Sequence, residues 1–178
     1  MQSYDYSHRK GVDEISWERF ASLAADLTES LSSEGVEVVV GIARAGLFPA
    51  MAVACALRRE SFPVRVTRRV DDRVTFQHPV WKVDVPAEVA GKTVAIIDEI
   101  ADTGETLALV AQRVRALQAA RLITASLVSH SWTSPAPDHV ALVTDALVIF
   151  PWDRRVYQDG QWAVHPELAE ALKLQPQK

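Results

Sequence analysis

The residues best equipped for chemistry lie in one stretch, Thr93 to Leu107, which reads TVAIIDEIADTGETL. Asp98, Glu99 and Asp102 follow a continuous apolar run, Val94 to Ile97, and precede Thr103, Gly104, Glu105 and Thr106. Carboxylates are hard oxygen donors, suited to a divalent cation or to sugar hydroxyls. A turn rich in Thr and Gly ahead of a helix offers backbone N–H groups and hydroxyls, which suits a phosphate. A second stretch, Gly41-Ile42-Ala43-Arg44-Ala45-Gly46, sets an arginine in a turn between an apolar run and a helix. Arginine can grip phosphate through two parallel N–H bonds.

These groups need a scaffold, and the hydrophobic pattern supplies one. Val94 to Ile97 is apolar at consecutive positions, as in a strand covered on both faces. Val36 to Ile42, Val64 to Val70 and Arg121 to Ser129 also read as strands, and Val140 to Phe150 as two short ones broken at Thr144 and Asp145. Ile15 to Leu31 reads as an amphipathic helix capped by Asp13 or Ser16. Leu47 to Arg59 is a second helix with Pro49 in its first turn. Glu105 to about Ala120 is a third, with Leu107, Val110, Val114 and Leu117 at helical spacing, and Pro166 to Leu174 a short last one. Strands alternating with helices predict an α/β fold with a central, mostly parallel sheet flanked by helices. Ligands in such folds sit at the carboxyl ends of the strands. If the two strands are neighbours, the loops Ala43–Gly46 and Asp98–Thr106 face one site.

The connecting segments differ in kind. Residues 1–11 read as a flexible arm. Residues 71–86, polar and holding Pro79 and Pro86, read as a long lid loop with room for a hairpin. Ser131 to Asp138 reads as a loop with two prolines, and Pro151 to Trp162 as a polar, aromatic segment. At 178 residues, one domain over 1–178 is expected. A net charge of −4 argues against a nucleic-acid partner. The single cysteine, Cys55, excludes a disulfide framework. The N-terminus has no apolar signal region and no run spans a bilayer, so a cytoplasmic protein with no membrane partner is expected.

The residues from Val94 to Thr106 resemble the loop that binds phosphoribosyl pyrophosphate (PRPP) in type I phosphoribosyltransferases. Val40 to Gly46 resembles that family's pyrophosphate loop. Ile149-Phe150-Pro151-Trp152-Asp153 resembles the hood of its xanthine-guanine and related purine members, and the N-terminal helix with its Ile15-Ser16-Trp17 start resembles a subgroup of xanthine-guanine-like proteins. The resemblance implies a small C-terminal hood over 145–165. It implies that Asp98 and Glu99 meet the ribose hydroxyls and Mg²⁺, and that Ala101, Asp102, Thr103, Gly104, Glu105 and Thr106 form the rest of the PRPP loop. Thr103 to Thr106 would hold the 5′-phosphate, with Glu105 turned away, and Asp102 would exchange a proton with the base at N7. Ala43, Arg44, Ala45 and Gly46 would receive pyrophosphate, and Arg68 and Arg69 are the picks from the cluster spanning Arg58 to Arg73.

The base-binding residues implied are His130, Leu147, Val148 and Trp152, and Asp153 would help hold a second Mg²⁺. Three positions depart from the family pattern. Ala45 stands where many members carry Gly, Leu147 where purine members carry a stacking aromatic, and the region Leu127 to His130 has no Lys where they carry one. The function implied is transfer of ribose 5-phosphate from PRPP to a nucleobase, a 6-oxopurine first, with release of pyrophosphate, by a homodimer or homotetramer. The alternatives are a PRPP-binding regulatory protein and a transferase for a different base.

Overall fold

The computed structural model describes residues 9–70, 73–77 and 79–174. Along the chain it forms β1 (Val12–Glu14), α1 (Trp17–Ser32), β2 (Val38–Ala43), α2 (Leu47–Leu57), β3 (Glu60–Thr67), β4 (Arg69–Val70), β5 (Arg73–Val74) and β6 (Val80–Val83). A 3₁₀ turn over Ala87–Val89 leads to β7 (Thr93–Ala101), α3 (Glu105–Ala116), β8 (Arg121–Ser129), β9 (His139–Val143), β10 (Leu147–Ile149), β11 (Arg155–Gln158), β12 (Gln161–Val164) and α4 (Pro166–Lys173). Leu23–Thr144 form one compact unit, and Met1–Ser22 with Asp145–Lys178 form another.

The larger unit is built on a six-stranded sheet in the order β6-β3-β2-β7-β8-β9. All its pairs are parallel except β3 with β6. Successive side chains of a strand point to opposite faces, and the core divides accordingly. Val38, Val40, Ile42, Val94 and Ile96 pack on one side with Leu107, Val110 and Val114 of α3. Val39, Ala95 and Ile97 pack on the other with Leu27 and Leu31 of α1 and Ala50, Val53 and Ala54 of α2. Gly41 lets α2 lie close on β2, since a Cβ there would sit 2.7 Å from Ala50 Cβ. The pairing that matters most for function is β2 beside β7, with Val38 opposite Val94 and Gly41 opposite Ile97. The carboxyl ends of these strands therefore lie side by side.

Several boundaries differ from the sequence expectation. β3 begins at Glu60, because Glu60 to Pro63 pair with Val38 to Gly41. α2 stops at Leu57, where Arg58 turns left-handed at φ 55° without a glycine to signal it. α3 stops at Ala116, and Gln118 is also left-handed. Part of the segment expected to be a lid loop is β6, which joins the sheet edge antiparallel to β3 (Val66 opposite Trp81). Trp81 packs on the core from there. Beyond β6, Asp84 takes two hydrogen bonds from Arg113 of α3, at 2.8 and 2.5 Å. Asp71, Asp72 and His78 of the same segment lie outside the described residues.

In the smaller unit β1 runs parallel to β10, with Val12 opposite Leu147 and Glu14 opposite Ile149. This strand lies just past the expected arm, and the arm's last residues are tied down. The Lys10 N–H donates to the Asp145 carbonyl, and the Leu147 N–H to that of Gly11. Residues 1–8 lie outside the described residues. Ser16 is the cap of α1, accepting the Arg19 N–H at 3.1 Å, while Asp13 instead pairs with the Arg19 guanidinium. The polar, aromatic segment holds an antiparallel hairpin of β11 and β12. Its turn, Asp159-Gly160, has φ of 51° and 79°. Two positive φ angles in a two-residue loop match the twist of the strands it joins.

Candidate active site

β7 ends in acid. Asp98 is buried, 7% exposed, and Glu99 beside it is half-buried. The Glu99 N–H donates to Asp98 Oδ1 at 3.0 Å. Burial raises the Asp98 carboxyl above its ordinary range, with hydrogen bonds from Glu99 acting against it. Glu99 is pushed well above the usual carboxylate range, first by burial and then by the charge of Asp98, while the Gly46 N–H opposes the shift. Two acids crowded in this way hold on to a proton as a pair. A divalent cation or a set of sugar hydroxyls would relieve the crowding. Among the described residues no group of three or more His, Cys, Asp or Glu could hold a metal ion. A cation at Asp98 and Glu99 would therefore complete its shell with ligand or water oxygens.

The loop after β2 meets this pair directly. A Cβ on Gly46 would lie 2.6 Å from Asp98 Oδ1 and 2.5 Å from the Ile42 carbonyl oxygen, so only glycine fits. The Ala43–Arg44 peptide is cis. The Leu47 N–H donates to the Arg44 carbonyl and the Phe48 N–H to that of Ala45. Ala45 is not among the positive-φ positions, so its Cβ carries no such penalty. Arg44 is exposed. Arg68 lies just past β3, the strand on the far side of β2, and among the described residues its Nε is buried without a hydrogen-bond acceptor. Of Arg69 only the backbone is described, in β4.

Beyond Glu99, β7 continues to Ala101 and the chain turns into α3. Gly104 precedes that helix at φ 87°, and a Cβ there would meet the Pro135 carbonyl oxygen at 2.6 Å. Thr103 Oγ1 accepts the Glu105 N–H at 3.3 Å, and Glu105 is exposed, as expected. The first N–H groups of any α-helix lack intrahelical partners. Those of α3, beside the Thr103 and Thr106 hydroxyls, are groups of the kind that suits a phosphate.

Sequence reasoning read Ser131 to Asp138 as a loop but missed that it braces this turn. β8 flanks β7 on the side opposite β2, so the residues after Ser129 reach the same rim. Thr133 Oγ1 lies 2.6 Å from the Ala101 carbonyl and 2.8 Å from that of Asp102. The Ser134 N–H donates to the Thr103 carbonyl. Trp132 Nε1 donates to Asp102 Oδ1 at 3.2 Å. The Trp132 ring stacks on buried His130 with centroids 4.5 Å apart and planes 15° apart. His130 Nδ1 is 2.5 Å from the Thr144 carbonyl, an oxygen that only accepts, so Nδ1 carries the proton. A Trp three residues past the strand Arg121–Ser129 was the available signal.

The remaining expected residues belong to the smaller unit. Leu147 is buried and Val148 half-buried on β10. Trp152 stacks on Phe150 at 4.8 Å and meets Phe20 edge-on at 5.4 Å and Trp17 at 5.9 Å. Asp153 is exposed, and its N–H donates to the Phe150 carbonyl. The structure thus gathers Ala43 to Gly46 and Asp98 to Thr106 at one rim of the larger unit, with His130 beside Trp132.

Among the described residues no helix is long and apolar enough to cross a membrane. Comparison with known proteins agrees with this architecture. A curated xanthine-guanine phosphoribosyltransferase from Idiomarina loihiensis is 26% identical over 145 residues, 80% of this chain and 88% of its own. The crystal structure of a purine phosphoribosyltransferase from Pyrococcus horikoshii superposes with a TM-score of 0.72 at 28% identity, covering 79% of this chain and 93% of that one. The xanthine-guanine-hypoxanthine phosphoribosyltransferase of Helicobacter pylori shares the fold, with a TM-score of 0.68 at 15% identity, covering 91% and 99%. The family model for the phosphoribosyl transferase domain matches residues 11–159, and the chain belongs to that family.

Proposed function

We propose that this protein transfers the 5-phosphoribosyl group of PRPP to a purine, a 6-oxopurine first, and releases pyrophosphate. The observation that carries this reading is the Asp98–Glu99 pair, with buried Asp98 held against the Gly46 backbone. It joins an acidic strand end to an anion-suited loop, as a substrate with sugar hydroxyls and a pyrophosphate requires. The named relatives support the purine class.

Asp98 and Glu99 bind the ribose hydroxyls and are the residues that would hold Mg²⁺. When bound there, the cation would supply charge neutralisation for the leaving pyrophosphate. Thr103 to Thr106 hold the 5′-phosphate at the start of α3. Ala43 to Gly46 receive the pyrophosphate, and Arg68, with its buried donor, adds a cation to that end. The base nitrogen N9 bonds to C1′ as the bond from C1′ to the pyrophosphate oxygen breaks, and Asp102 accepts the proton from N7. The transition state is oxocarbenium-like, so the protein contributes position and charge more than covalent chemistry.

The deciding experiment is a panel of guanine, xanthine, hypoxanthine, adenine, uracil and orotate, each with Mg²⁺ and PRPP, scored for nucleotide formed. Turnover on one or more 6-oxopurines is expected. No turnover on any base, with PRPP still bound, would replace this reading with that of a PRPP-sensing regulator.

A further inference from the structure

We propose that Trp132 is a positioning residue that aims the Asp102 carboxylate at the base. The proposal rests on the reading that Asp102 exchanges a proton with that base. Trp132 and Thr133 are adjacent in sequence and clasp Asp102 at two points. The indole Nε1–H donates to Oδ1 at 3.2 Å, and the Thr133 hydroxyl sits 2.8 Å from the Asp102 backbone carbonyl. A side chain held at its tip while its backbone is held nearby keeps few rotamers. Indole N–H is a donor only, whereas a carboxylate has about four acceptor sites, so the bond orients Asp102 without consuming it.

The indole itself is fixed from behind. Its ring stacks on His130, which is 3% exposed and anchored through Nδ1 to Thr144. An aromatic pair of this geometry adds stability beyond the area it buries. Trp132 is also 39% exposed, so the indole spans from a buried anchor to the open rim. A generic loop residue has no reason to combine a buried stack, an exposed edge and a bond to the Asp102 carboxylate.

Trp132→Phe keeps a ring for the stack and removes the donor. It should lower kcat about tenfold, the loss expected of one hydrogen bond to a charged group, and leave the KM for PRPP within about twofold. In an Asp102→Asn background the same change should cost much less, because the two residues act as one unit. Full kcat in Trp132→Phe, or an equal loss in both backgrounds, would overturn the proposal while leaving the assignment of Asp102 intact. So would a rise in the KM for the base alone, which would make Trp132 a stacking surface. Full turnover in Asp102→Asn would end both the assignment and the proposal. Should Trp132→Phe not fold, the indole N–H resonances of the otherwise unaltered protein decide: one should move in Asp102→Asn, and none moving contradicts the clasp.

Discussion

Gly46 and Asp98 touch so closely that a methyl group on the glycine would lie 2.6 Å from Asp98 Oδ1. Gly46 itself has φ −60°, a value any residue adopts. The glycine is therefore required by space and not by backbone conformation. It is the point at which the loop after β2 and the acid pair of β7 become one site.

Gly46→Ala should push that loop away from the acids, because the Ile42 carbonyl at 2.5 Å blocks any other retreat. PRPP affinity should drop at least about tenfold, with overpacking costing about 1–3 kcal/mol of stability. Titration calorimetry and a melting curve measure the two effects. Wild-type affinity in a folded Gly46→Ala protein would mean that the two loops do not share a ligand.

Gly104→Ala tests the other end of the PRPP loop. Here the demand is on conformation as well as space, with φ at 87° and the Pro135 carbonyl 2.6 Å from the added carbon. The left-handed backbone alone costs about 1–2 kcal/mol for a residue with a Cβ, which for a chain of this size lowers Tm by roughly 2–8 °C. An unchanged Tm would mean that the turn before α3 tolerates a Cβ at position 104.

The acid pair also predicts a pH dependence with a definite sign. Burial and the charge of Asp98 raise Glu99, so the folded protein keeps a proton that the unfolded chain sheds near the ordinary Glu value, about 4.3. The associated stability is fully present below that value and is lost as pH climbs through the raised folded value. Without ligand, the Tm of the wild type should therefore decline relative to Glu99→Gln as pH rises from about 4.3. A Tm difference that stays constant with pH would show that Glu99 is not held in a buried pair.

Local features of this site were legible in the sequence, and long-range ones were not. The run from Val94 to Thr106 carries its own strand, turn and helix start, so its chemistry could be read from neighbours in the chain. The bond from Trp132 to Asp102 joins residues thirty positions apart and exists only because β8 lies beside β7. β6 was hidden because polar and proline residues masked a strand that backbone pairing with β3 creates. The left-handed stop at Arg58 carries no glycine, so α2 was drawn too long. The hairpin turn at Asp159-Gly160 did carry a standard signal, set within a segment whose polar composition argued for a loop.

The central claim is that Asp98 and Glu99 hold the ribose and cation end of PRPP, and one calorimetric titration tests it most directly. Mg²⁺ and PRPP are titrated together into the wild type and into a folded Asp98→Asn, Glu99→Gln double variant. The wild type should bind, and the double variant should bind at least about a hundredfold more weakly, as follows from removing two charge-assisted contacts at about 1.5–3 kcal/mol each. Equal binding by the two proteins would contradict the account.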